Sequence, residues 1–174
     1  MAVAFVQRQA GIIRAAVVFA GAALLFFWAF NTAWVIEHVL NPFTTATAEV
    51  SAWLFRLTGQ SAAVYGQTVR VNDTVVTIGT GCNGAEAFAL YCAAVLALPA
   101  HGRMRLLGLG LGVTGIFVIN QVRILGLILV AILRPEFLFE AHNYVGQTFV
   151  IVMGMALWVF WAERYGHIRN APAG

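Results

Sequence analysis

From Leu106 to Leu133 the chain carries a single charged side chain, Arg123. A helix over that run would extend about 42 Å, longer than the roughly 30 Å hydrocarbon core of a bilayer. It therefore spans a membrane, and has to tilt, break or turn along the interface to do so. Three more apolar runs, at about 12–36, 83–99 and 143–161, are also long enough to cross, the second only just. Composition points the same way, with 61% of 174 residues hydrophobic and 10% charged, against about 45–50% and about 25% in soluble domains. The fold class expected is an all-α integral membrane bundle, with about four transmembrane helices in one domain over 1–174. An outer segment at 37–82 adds an amphipathic helix and a small β-hairpin. Internal repeats and a second domain are not evident. The first apolar run outlasts the core of a signal peptide and reads as a retained anchor, despite Ala46-Thr47-Ala48 resembling a cleavage site.

The net charge of +3 comes from ten arginines and no lysine. In a multispan chain such charge orients helices and does not indicate nucleic acid. With the N-terminus inside, Arg8, Arg14, Arg103, Arg105, Arg164 and Arg169 fall on the cytoplasmic side, and Arg56, Arg70 and Arg134 opposite. That distribution favours cytoplasmic termini and an outer 37–82 segment. Two cysteines, Cys82 and Cys92, exclude a disulfide scaffold and a multi-cysteine metal cluster. On one helix they would lie about 15 Å apart, beyond disulfide reach.

Within the outer segment, Asn41 as N-cap, Pro42 and Gly59 delimit a helix. Val50, Trp53, Leu54 and Leu57 form one apolar face suited to the outer membrane surface. Residues 67–71 and 74–78 flank Asn72-Asp73 and read as a hairpin. A hairpin edge cannot sit in lipid, so it belongs in water or at the interface. It leads straight into Thr80-Gly81-Cys82-Asn83-Gly84.

Stacking the spans brings Cys82, Arg123 and His142 to one membrane face. An ionisable residue within a span is costly enough to suggest function, and Arg123 is the only arginine so placed. Cys82 stands at a helix start, where the dipole lowers a thiol pKa. Glu86, one turn beyond, opposes that effect unless Arg123 neutralises it as a structural ion-pair partner. Cys92 reads as a buried mid-span residue, and His38, His101 and His167 as boundary residues. Three classes remain open on the residues alone: a nucleophilic enzyme, a membrane thiol oxidoreductase using Cys82 with Cys92, and a non-catalytic membrane subunit built on the Glu86–Arg123 pair.

Gly81-Cys82-Asn83-Gly84 at a span start, Asn120-Gln121-Val122-Arg123-Ile124 in the next span and His142-Asn143-Tyr144-Val145-Gly146 before the last resemble the exosortase and archaeosortase membrane transpeptidases. Asn83 replaces the serine common after the cysteine, and the chain is short, as in a compact subgroup such as exosortase H. The resemblance implies an inner-membrane cysteine transpeptidase, unrelated in fold to soluble sortases, with its site facing outward. Its partners would be membrane-anchored proteins carrying a C-terminal sorting signal of short motif, apolar helix and basic tail. By the same resemblance Cys82 forms a thioester, His142 is general acid and base, and Arg123 stabilises the oxyanion. Asn120 orients Arg123 or adds a hydrogen bond, and Asn83 and Glu86 support the site. No metal or other cofactor is expected, and no nucleic acid.

Overall fold

The computed structural model describes residues 2–79 and 81–165, with side chains from residue 9 onward. Arg169, His167 and the Arg8 side chain, all used above, lie outside the described residues, as does Thr80.

Helix α1 (Ala2–Phe30) ends where the apolar run meets Asn31-Thr32. Asn31 Nδ2 donates to the Phe27 carbonyl at 2.7 Å and Thr32 Oγ1 to that of Ala29 at 2.7 Å, capturing carbonyls that the last turn leaves free. The first span thus stops at Phe30 and does not reach residue 36. A new helical stretch begins at Ala33–Val35, passes through a π turn at Ile36–Leu40 and continues as α2 (Asn41–Leu57).

Asn41 is accordingly not the N-cap expected of it. Its backbone is helical at φ −64°, and its N–H bonds back to Ile36 O. Proline lacks a donor and crowds the carbonyl four residues earlier; the wider π turn just ahead of Pro42 absorbs both effects. At the other end Gly59, with φ +81°, closes the helix as expected. Thr44, Thr47, Ala48, Ser51, Ala52 and Phe55 face the protein, whereas Trp53 and Leu57 point outward. The apolar face read from sequence is therefore the side away from the core, and a small, polar face packs inward.

The expected hairpin is a three-stranded antiparallel sheet in the order β1 (Ala62–Tyr65), β2 (Thr68–Val71), β3 (Thr74–Thr77). Val71 pairs with Thr74 across a two-residue turn whose Asn72 has φ +51°, a left-handed conformation that Asn tolerates. Strand β1 was missed because Ala62-Ala63-Val64-Tyr65 is too short and too alanine-rich to show an alternating pattern.

Helix α3 (Ala85–Ala97) follows, then α4 (Gly102–Leu133). The long apolar run does not break: it lies within one helix of 32 residues, about 48 Å long. The chain returns through Pro135–Phe137, Leu138–Glu140 and a second π turn at Ala141–Gly146 into α5 (Gln147–Tyr165). Among the described residues, three helical segments are long and apolar enough to cross a membrane, Gln9–Phe30, Gly102–Leu133 and Pro135–Tyr165, beside the shorter apolar Ala85–Ala97. The molecule is an all-α membrane bundle bearing one small sheet.

Two apolar cores result. In the bundle, Tyr91, Val95, Ile116, Ile119, Val150 and Trp161 pack together. In the cap, Ile124 and Ile128 near the end of α4 meet Ala48, Ala52 and Phe55 of α2 and Val69, Val71 and Ile78 of the sheet region. Helix α4 is the pillar common to both. Its glycines let neighbours close in: a Cβ at Gly108 would enter the Trp161 indole, one at Gly112 the Tyr91 ring, and one at Gly115 the Leu157 side chain. Small residues serve this purpose in membrane bundles.

Gly112→Leu should therefore lower stability by about 1–3 kcal/mol through overpacking, whereas Gly110→Leu, which meets nothing within 4 Å, should stay near wild type. Thermal unfolding in detergent, followed by fluorescence, checks the pair. Equal effects would show that the Gly112 notch does not set the packing.

Candidate active site

The residues Gly79 to Gly84 connect the sheet to α3, and their shape depends on two glycines. Gly81 has φ +87° and Gly84 φ +84°, values that L side chains adopt only with strain. Gly84 is doubly constrained, since a Cβ there would lie 2.9 Å from Asn120 Cγ. Between them Asn83 folds the chain back: its Oδ1 accepts the Ala85 N–H at 3.0 Å, and its Nδ2 donates to Thr44 Oγ1 at 2.9 Å. Cys82 is thereby presented just ahead of α3, half-buried.

Three side chains converge on this loop. Asn120 Nδ2 donates to the Cys82 carbonyl at 3.0 Å. Arg123, one turn further along α4, sends Nη1 to the Gly81 carbonyl at 3.4 Å and Nη2 to Cys82 Sγ at 3.9 Å. His142, in the π turn before α5, approaches the sulfur with Nε2 at 3.3 Å, its Nδ1 standing at 3.8 Å. Chain segments 60 and 41 residues away from the thiol thus meet at one atom. A cleft of about 530 Å³ opens onto Cys82 and His142.

Arg123 is only 6% exposed, yet no carboxylate lies within ion-pair distance of it among the described residues. Glu86 does not pair with it, which corrects the ion-pair reading: Glu86 is exposed and turns its carboxylate toward Gly81. Among the described residues Arg123 Nε has no hydrogen-bond partner, nor has Asn120 Oδ1. Gly146 makes room for the guanidinium, because a Cβ there would stand 3.0 Å from Nε. The result is a buried cation held by a carbonyl and a thiol, an arrangement that favours any anion formed beside it.

Burial pushes the Cys82 thiol above its ordinary range, the Arg123 charge and hydrogen bond pull it back part of the way, and Glu86 adds a smaller upward push. Desolvation is the largest of these effects, and it opposes the lowering expected of a helix start. Cys92 lies 3% exposed within α3 as a free thiol.

Sequence reasoning missed the layer that supports this site. Ser51 Oγ donates to Gln121 Oε1 at 2.8 Å, and Gln121 Nε2 to the Thr47 carbonyl at 3.3 Å. Thr44, Thr47 and Ser51 recur at helical spacing on the side of α2 opposite Trp53, and Gln121 adjoins Asn120 in an apolar run. Those two signals could have disclosed the layer.

In a Cys92→Ala background, the pH midpoint for iodoacetamide alkylation of Cys82 should lie above the ordinary thiol range. Glu86→Gln should move it down, and Arg123→Gln should move it up. Mass spectrometry of the modified peptide across pH reads both shifts, and a Glu86→Gln midpoint at or above wild type would contradict the charge balance.

A family model described as transmembrane exosortase matches residues 4–165. No curated protein and no solved structure gives a significant match. With nearly its whole length covered by the family model, the chain belongs to the transmembrane exosortase family.

Proposed function

We propose that this protein is a membrane cysteine transpeptidase that cleaves a C-terminal sorting signal of motif, apolar helix and basic tail, and passes the exported protein to an acceptor. The observation that carries the reading is the uncompensated Arg123 guanidinium beside a thiol that also touches an imidazole. Family membership supports a transpeptidase or protease acting on sorting signals.

In this reading His142 takes the Cys82 proton as sulfur attacks the scissile carbonyl. The tetrahedral oxyanion forms beside Arg123, where low dielectric strengthens the attraction. Collapse breaks the C–N bond, and His142 returns the proton to the leaving amine. The acceptor, an amine or water, loses its proton to His142 as it attacks the thioester, and the thiol is restored. With burial raising the Cys82 thiol pKa, proton transfer to His142 accompanies attack in this reading. Asn120 fixes the Cys82 carbonyl and Asn83 the loop; both are positioning residues. The residues need no metal or other cofactor for these steps.

The arginine distribution supports a site on the outer face of the cytoplasmic membrane, with both termini inside. In a Cys82→Ala/Cys92→Ala background, single cysteines at Thr74 and His101 should label from opposite sides of intact cells. Labelling from one side would exclude this topology.

Cys82→Ala should abolish processing of a co-expressed tagged tail, and His142→Ala should lower it by about 10²–10⁴-fold. Arg123→Lys should cost about 10²–10³-fold, since an ammonium lacks the guanidinium's planar fork. Cys92→Ala should remain close to wild type. The tail's mass shift, normalised to enzyme abundance in the membrane, measures each. Cleavage by Cys82→Ala would end the thioester mechanism, and a dead, abundant Cys92→Ala would favour a dithiol oxidoreductase.

A further inference from the structure

The cleft that ends at Cys82 and His142 is lined on one side by Val75, Val76, Thr77 and Ile78. Successive side chains of a strand point to opposite faces, so four consecutive residues border one cleft only if it runs along the strand's edge. Strand β3 is an edge of the sheet, with β2 as its single partner. The opposite wall is Pro135, Leu138, Phe139 and His142, and Ile124 and Leu127 form the floor.

The register tells which backbone groups face the cleft. The Ile78 N–H bonds to the Gln67 carbonyl at 2.9 Å, so residue 78 belongs to the hydrogen-bonded set of the ladder. Pairing runs Thr77 with Thr68, Val76 with Val69, Val75 with Arg70 and Thr74 with Val71. Hydrogen-bonded and non-hydrogen-bonded pairs alternate in an antiparallel ladder, which turns 74, 76 and 78 toward β2. Val75 and Thr77 therefore present both N–H and C=O to the open edge. Neither makes a backbone hydrogen bond there among the described residues. Such an edge is a template for another strand.

We propose that the segment of the substrate preceding the scissile bond binds as an extended strand added to the free edge of β3, through the backbone groups of Val75 and Thr77. This rests on the reading of Cys82 as the nucleophile. Strand β3 runs from the Asn72-Asp73 turn toward Cys82, and a substrate whose apolar helix follows the scissile bond descends the same way. The added strand is thus parallel to β3, and every second substrate residue bonds to the edge. Backbone pairing supplies affinity without regard to side chain, while Leu127, Leu138 and Phe139 make the cleft select for apolar side chains in the motif.

The test uses the full-length enzyme reconstituted in phospholipid vesicles with the purified tagged tail. Val75→Pro and Thr77→Pro each delete one outward N–H and leave the ladder to β2 intact, since proline is tolerated on the free side of an edge strand. Each should raise KM about 3- to 10-fold, the size of one hydrogen bond, with kcat and Cys82 alkylation by iodoacetamide unchanged. Wild-type KM in both proline variants overturns the proposal.

Because proline can disturb the strand itself, wild-type enzyme is also given semisynthetic tails N-methylated at one residue at a time before the scissile bond. Thioester formation on Cys82 should slow at least about tenfold at alternate positions and not at those between. Equal rates across the series, or losses without alternation, overturn the edge pairing and leave the nucleophile standing. Failure of the unmethylated tail to form any Cys82 adduct overturns both.

Discussion

A guanidinium kept inside a membrane bundle with no carboxylate beside it among the described residues has to be held by oriented dipoles, and the structure around Arg123 follows from that requirement. One carbonyl, from Gly81, and one thiol, from Cys82, receive its Nη groups. The carbonyl reaches it because Gly81 takes a left-handed backbone, and the side chain fits because Gly146 has no Cβ to meet Nε. Pairing Arg123 with Glu86 would have been electrostatically easier. It would also have consumed the charge that the site needs for an anion formed during reaction, and a buried cation with its partner already present is weak support for either stability or catalysis.

The layer that carries this charge lies between two apolar cores. Below it the bundle packs on Tyr91, Ile116 and Trp161, and above it the cap packs on Ile124, Ile128 and Val69. Asn83 with Thr44, Gln121 with Ser51, and Asn120 with the Cys82 carbonyl close most of the polar groups in between. Each buried group left open would cost about 1–3 kcal/mol, so the layer fixes α2, α4 and the cysteine loop in one arrangement. Because Asn120, Gln121 and Arg123 all sit on α4, the loop and the guanidinium share one rigid support. That sharing is how a site gathered from distant parts of the chain keeps its geometry.

The convergence of Cys82, Arg123 and His142 was legible in the sequence because span lengths and arginine placement determine which ends of helices meet. Helix boundaries set by side-chain capping were harder to see. Asn31 and Thr32 end α1 by turning back on its own carbonyls, and the π turn ahead of Pro42 lets a helix pass through a residue that ordinarily starts one. Strand β1 lacked an alternating pattern, and its existence depends on partners in β2 and on the inner face of α2. The surroundings of the thiol were hard to read for a different reason: a helix start is visible locally, whereas the burial that opposes it comes from neighbours distant in sequence.

A raised thiol pKa and a buried cation beside it look contradictory until the charge states along the reaction are separated. Desolvation penalises any anion in the cleft, and a substrate strand that displaces water would deepen the penalty. The attraction to Arg123 grows under the same fall in dielectric, but acts only where negative charge exists. A neutral resting thiol gains little from it, while a thiolate or an oxyanion at the same place gains much. In the proposed reaction His142 would remove the proton only as sulfur attacks, and the charge would pass to an oxygen beside the guanidinium. Under the proposed mechanism the reactivity of Cys82 is thereby reserved for a carbonyl delivered between the imidazole and the guanidinium.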